Sequence, residues 1–106
     1  MQRCTIEWAP FRLRRGVSEA DLLAASDALQ EAFLKHQPGF VHRETLRTGE
    51  GEYADLVHWR SREEAEAAMK KAAQSSACHA YFAVMEMDAQ DAATGVAHYE
   101  SLRAYG

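Results

Sequence analysis

The chain has 106 residues, with 12 Lys+Arg against 16 Asp+Glu for a formal net charge of −4. That balance excludes a dedicated polyanion binder, because phosphate backbones need clustered positive charge and Arg12, Arg14 and Arg15 are too few for a nucleic-acid track. A hydrophobic fraction of 47% with 26% charged residues excludes disorder, and the length fits one domain over residues 1–106.

Cys4 to Trp8 alternates apolar and polar residues and predicts a strand, which Pro10 is expected to close. Phe11 to Gly16 follows as a basic connector. Ser18-Glu19-Ala20-Asp21 is a capping box, with Val17 and Leu22 placed as a hydrophobic staple. The helix it starts carries a stripe of Leu22, Ala25, Leu29, Ala32 and Phe33, and Gln37-Pro38-Gly39 ends it. Phe40 to Arg47 and Tyr53 to Arg60 read as two strands around a Gly49-Glu50-Gly51 loop, Gly51 suiting the left-handed position. Ser61-Arg62-Glu63-Glu64 caps a second helix with an inner stripe of Ala65, Ala68, Met69, Ala72 and Ala73. Gln74-Ser75-Ser76 interrupts it before a further helical turn or two over Ala77 to Met85. Asp88 to Gly95 reads as a loop, and Val96 to Tyr105 as the last strand.

The order is β-α-β-β-α-(α)-β, an α+β, ferredoxin-like arrangement with a four-stranded antiparallel sheet. One sheet face lies under the helices. The other has no third layer within this chain, so something else is expected to cover it. The pattern Phe40, His42, Glu44, Leu46, Arg47 is echoed by Val96, His98, Glu100, Leu102, Arg103, as a βαβ unit used twice would give. Cys4 and Cys78 form no CxxC or disulfide framework, which suits a reduced, cytoplasmic protein. The strand pattern begins too early for a signal peptide, and the longest apolar run, Ala80 to Met85, is far below the ~20 residues of a membrane span.

Pro38-Gly39-Phe40, Glu44 and then Val57-His58-Trp59-Arg60-Ser61-Arg62-Glu63-Glu64-Ala65 form a Gly-Phe…Trp-x-Ser-x-Glu-Glu-Ala pattern. This pattern resembles the antibiotic biosynthesis monooxygenase-like branch of the dimeric α/β-barrel superfamily. The resemblance implies a homodimer whose two sheets face each other as a barrel. It also implies a range of activities, among them cofactor-free oxygenation of small aromatic or quinol-type substrates. The haem-degrading relatives place a histidine where this chain has Ala68 and Met69, and an asparagine on the first strand where it has Thr5 and Glu7. Haem degradation is therefore disfavoured, and no organic cofactor is expected.

Counting outward from the hairpin sets His42 opposite His58, with Glu44 on the same face. Two imidazoles and a carboxylate are a ligand set for Fe(II) or Zn(II), but no spaced His/Cys motif accompanies them and no metal is assigned. Any of the strand histidines His42, His58 and His98 could instead accept a proton, since imidazole titrates near neutrality, and His58 and His42 are the candidate catalytic bases. Trp59, Glu44, Arg43, Tyr81 and Phe82 are the candidate substrate contacts, with Trp59 at the edge of a pocket between sheet and helices and Tyr81 and Phe82 closing it. His79 beside Cys78 is not read as a nucleophilic pair, because helix neighbours in sequence do not face each other. Two functions follow. One is a cofactor-independent monooxygenase-like enzyme. The other is a non-catalytic homodimeric module binding a small hydrophobic or aromatic ligand. Neither involves nucleic acid or membrane.

Overall fold

The computed structural model describes residues 4–86 and 95–106. Its elements are β1 (Thr5–Leu13), α1 (Glu19–Ala32), a 3-10 turn (Leu34–His36), β2 (Phe40–Gly49), β3 (Glu52–Trp59), α2 (Arg62–Ala72), α3 (Ser76–Ala83), β4 (Met85–Glu86) and β5 (Ala97–Glu100). The antiparallel sheet runs β2-β3-β1, and β4 and β5 both pair with the far side of β1. This is the expected ferredoxin-like α+β arrangement, with five strands in place of four. The fourth sheet position is shared: β5 pairs with Thr5 to Trp8, and β4 with Arg12 and Leu13.

That division explains why Pro10 does not close β1. Pro10 falls between the segments paired by β5 and β4, so its missing N–H interrupts no ladder there, while β1 continues along β3 to Arg12. The expected basic connector therefore begins after Leu13. Ladder pairing of β5 stops at Glu100, short of Tyr105. The expected loop lies outside the described residues as far as residue 94.

The hairpin turns on Glu50 and Gly51, with Gly51 at φ +71°. Gly49 pairs with Glu52 and Arg47 with Tyr53, so Thr48 bulges. The bulge absorbs one residue and leaves His42 opposite His58, the register counted from the sequence. The Ser18 capping box forms in full, with Asp21 N–H donating to Ser18 Oγ and Ser18 N–H to the Asp21 carboxylate. At α2, Ser61 Oγ accepts from Glu64 N–H, but the Glu64 carboxylate binds Arg60 and the Ser61 hydroxyl rather than returning to the cap amide. Gly39, at φ +84°, packs under that carboxyl group, where a Cβ would sit 2.5 Å from Glu64 Cδ.

All three helices lie on one face of the sheet, around a core that includes Leu22, Leu29, Phe33, Val57, Ala65 and Ala68. Two expected stripe positions, Met69 on α2 and Ala73 at its C-cap, are exposed, as is Ala32 on α1. The inner side of α1 instead includes Ser26, whose hydroxyl is occupied by the sheet.

Candidate active site

Strand register sorts the polar side chains by face. Thr5, Glu7, Tyr53, Asp55, Val57 and Trp59 share the helix-facing side with Arg43, Thr45 and His98. Ile6, Trp8, His42, Glu44, Leu46, Leu56, His58 and Tyr99 share the open side.

Under α1 and α3 lies a buried ionic network. Arg43 and Asp55 side chains are only 6% and 8% exposed, with Arg43 Nε donating to Asp55 Oδ1 at 3.3 Å. Thr45 Oγ1 donates to the same oxygen at 2.8 Å, and Tyr81 OH donates to Oδ2 at 2.5 Å. Arg43 Nη2 donates to Ser26 Oγ at 2.6 Å, and its guanidinium lies 5.2 Å from the Tyr81 ring centre. Burial, and then the Asp55 charge, hold the Tyr81 phenol well above its ordinary range. The phenol therefore stays protonated and acts as a donor. With carboxylate, guanidinium and hydroxyls bound to one another, this network holds α1 and α3 to the sheet.

A second constellation sits toward the Trp59 end. Trp59, itself buried, donates from Nε1 to Glu7 Oε1 at 3.2 Å. His98 Nε2 lies 3.6 Å from the same oxygen, and among the described residues that buried nitrogen has no hydrogen-bond partner. Desolvation raises the Glu7 carboxyl above its ordinary range, while His98 and the Trp59 hydrogen bond pull it back down.

The sequence-stated candidates thus divide. Arg43 and Trp59 face the helices and Tyr81 reaches the same side from α3, whereas His42, His58 and Glu44 lie on the opposite side of the sheet, so one pocket within a single chain does not contain both groups. The physical reason is strand parity: His42 and Arg43, like His58 and Trp59, are consecutive residues and point to opposite faces. The two imidazole rings do meet, 5.5 Å apart, with His42 Nε2 3.8 Å from Glu44 Oε2. Among the described residues no group of three or more His, Cys, Asp or Glu side chains has metal-holding geometry. Phe82 is 42% exposed and lies against Tyr81, on the outer side of α3. His98 and His42, equivalent in the sequence echo, occupy opposite faces.

Burial pushes the Cys78 thiol up, and His79 Nε2 meets the Ala73 carbonyl, so no thiolate–imidazole pair forms there. At the other end of β3 from Trp59 lies an open cleft of about 300 Å³ between α1 and the hairpin. Its charged groups are mutually engaged, since Arg47 binds Glu19 through two nitrogens and Tyr53 OH donates to Glu19.

Sequence reasoning passed over Asp55, Ser26 and Thr45, gave no role to Glu7, and counted His98 only as one of three strand histidines able to accept a proton. The signal existed for the first strand pair: the register that set His42 opposite His58 also sets Thr45 opposite Asp55. Glu7 was marked by its parity with Thr5 on a face that must be buried, and His98 pairs with it across β1 and β5.

No protein-family model matches this sequence, and no curated protein does. Solved structures match along nearly its whole length. SnoaB, a cofactor-independent oxygenase from Streptomyces nogalater, is 17% identical with a TM-score of 0.69, over 98% of this chain and 97% of that one. A protein provisionally named antibiotic biosynthesis monooxygenase from Caulobacter crescentus is 15% identical with a TM-score of 0.71, over 96% and 92%. One of the same provisional name from Bordetella bronchiseptica is 16% identical with a TM-score of 0.64, over 98% and 100%. The likeness is one of fold, and it is the fold the Gly-Phe…Trp-x-Ser pattern pointed to. No helix among the described residues is long and apolar enough to cross a membrane.

Proposed function

We propose that this protein is a cofactor-independent monooxygenase-like enzyme acting on a small aromatic or quinol-type substrate between the sheet and the helices. Such chemistry needs a base that makes the substrate an electron-rich anion, and dioxygen as the oxidant that accepts its electron. The observation that carries this reading is the Trp59 end of the helix-facing layer. There a carboxylate and an imidazole lie mostly buried beside an indole, and unlike the saturated network under α1 and α3 the imidazole nitrogen has no hydrogen-bond partner among the described residues. The fold shared with a protein described as a cofactor-independent oxygenase supports the same reading.

The working unit in this proposal is a homodimer. The open sheet face carries Ile6, Trp8, Leu46 and Leu56, each half-buried, and Tyr99 is 58% exposed on it. Face-to-face association would enclose His42, His58 and Glu44 between two sheets. The alternative, a non-catalytic homodimeric module, draws support from the saturated Arg43–Asp55–Tyr81 network, which behaves as structure rather than as a waiting site.

Oxygen uptake across a hydroquinone and quinol panel tests the choice. The enzyme reading expects substrate-dependent uptake that falls in Trp59→Ala. Uptake that is absent for every compound, with ligand binding retained, establishes the module.

A further inference from the structure

Resting on the oxygenase reading, we propose that Glu7 is the proton acceptor, that His98 is its positioning residue, and that the pair selects uncharged hydroxyarenes over aromatic carboxylates. Glu7 Oε1 is taken by the Trp59 indole at 3.2 Å and faces His98 Nε2 at 3.6 Å. Both contacts fall on Oε1, and the Glu7 side chain retains 17% exposure, which leaves Oε2 as the oxygen for a ligand hydroxyl. The step is a single proton transfer. The substrate O–H bond breaks, an O–H bond forms at Oε2, and the arene oxygen keeps the electron pair and becomes the anion.

Charge sets the substrate class. Around Glu7 stand His98 on β5 and Asp55 on β3, the latter already paired with Arg43 on β2. Of the helices above, α3 buries Tyr81 and Cys78, and α2 buries only Ala65 and Ala68. Apart from His98, which already faces Glu7, no described cation in this surround is left for a substrate carboxylate, so an anionic arene is opposed by an ionised Glu7. A neutral phenol or quinol carries its own proton to the site. His98 acts through Glu7. Its nitrogen favours the ionised carboxylate, which keeps the base available as the medium becomes more acidic.

Two measurements decide the proposal. Tryptophan fluorescence titration should show 2-naphthol binding at least about tenfold more tightly than 2-naphthoate, with the preference lost in Glu7→Gln. In oxygen uptake with the best quinol, Glu7→Gln should lose about a hundredfold in kcat, the lower range for a positioned base. His98→Gln should move the acidic limb of the kcat/KM profile to higher pH. Equal binding of the two naphthalenes, uptake by Glu7→Gln within threefold of the parent, or an unmoved acidic limb in a folded His98→Gln overturns it. If the parent protein takes up no oxygen, the oxygenase reading falls, and the binding preference by itself decides the role of Glu7 in selection.

Discussion

Replacing Tyr81 by phenylalanine removes one oxygen from the core and leaves the ring in place. The lost donor serves a carboxylate that is 8% exposed, at a distance of 2.5 Å. Hydrogen bonds to buried charges contribute about 1.5–3 kcal/mol net, and Asp55 keeps Thr45 and Arg43, so a cost of about 2 kcal/mol is expected. An unfolding entropy of about 2.1 cal/mol/K per residue converts that into a fall in Tm of roughly 9 °C for a chain of 106 residues. Asp55→Ala should cost more, about 3–5 kcal/mol, because it strands a guanidinium that is 6% exposed. Urea and thermal unfolding of the parent and both variants measure the series. Were Asp55→Ala to cost less than about 1 kcal/mol, the claim that this ionic network clamps α1 and α3 to the sheet would be refuted.

Gly39→Ala meets both a left-handed backbone and the Glu64 carboxyl group at 2.5 Å, so a loss above about 1 kcal/mol is expected in urea unfolding. Leu56→Lys puts a charge on the open sheet face without touching the helix-side core. Sedimentation should find a dimer for the parent and half that mass for the variant, and a parent that is monomeric at micromolar concentration sinks the face-to-face assembly. Asp21 is held below the ordinary carboxylate range by the Ser18 amide and hydroxyl. Its contribution is therefore present above that range and lost as pH falls through its own lower value. Asp21→Asn should accordingly unfold more easily at pH 7, and the gap to the parent should close toward pH 2.

The arrangement of elements was legible because local chemistry announced it. Ser18 and Asp21, Ser61 and Glu64, and the left-handed Gly51 each act within a few residues, and each appears at its expected end of a helix or turn. Pro10 misled because its effect depends on what lies beside it, and only the assembled sheet shows that β4 and β5 leave a gap there. The site was harder for the same reason. Residue type drew attention to His42 and His58, but parity sends each to the face opposite Arg43 and Trp59. Asp55 and Glu7 carry little signal as isolated letters. Their meaning comes from Tyr81, which lies 26 residues from Asp55, and from Trp59, which lies 52 residues from Glu7.

The rims of the sheet govern how copies of this protein can meet. One rim, β2, is interrupted by bulges near both ends, and the other is divided into strands of two and four residues on either side of a proline. Among the described residues neither offers a long straight row of amides and carbonyls onto which a foreign strand could zip. Such rims disfavour sideways accretion into ribbons or filaments, which leaves the broad flank as the surface the proposed assembly uses. In the proposed face-to-face assembly, self-association so restricted would satisfy itself with two copies and then stop.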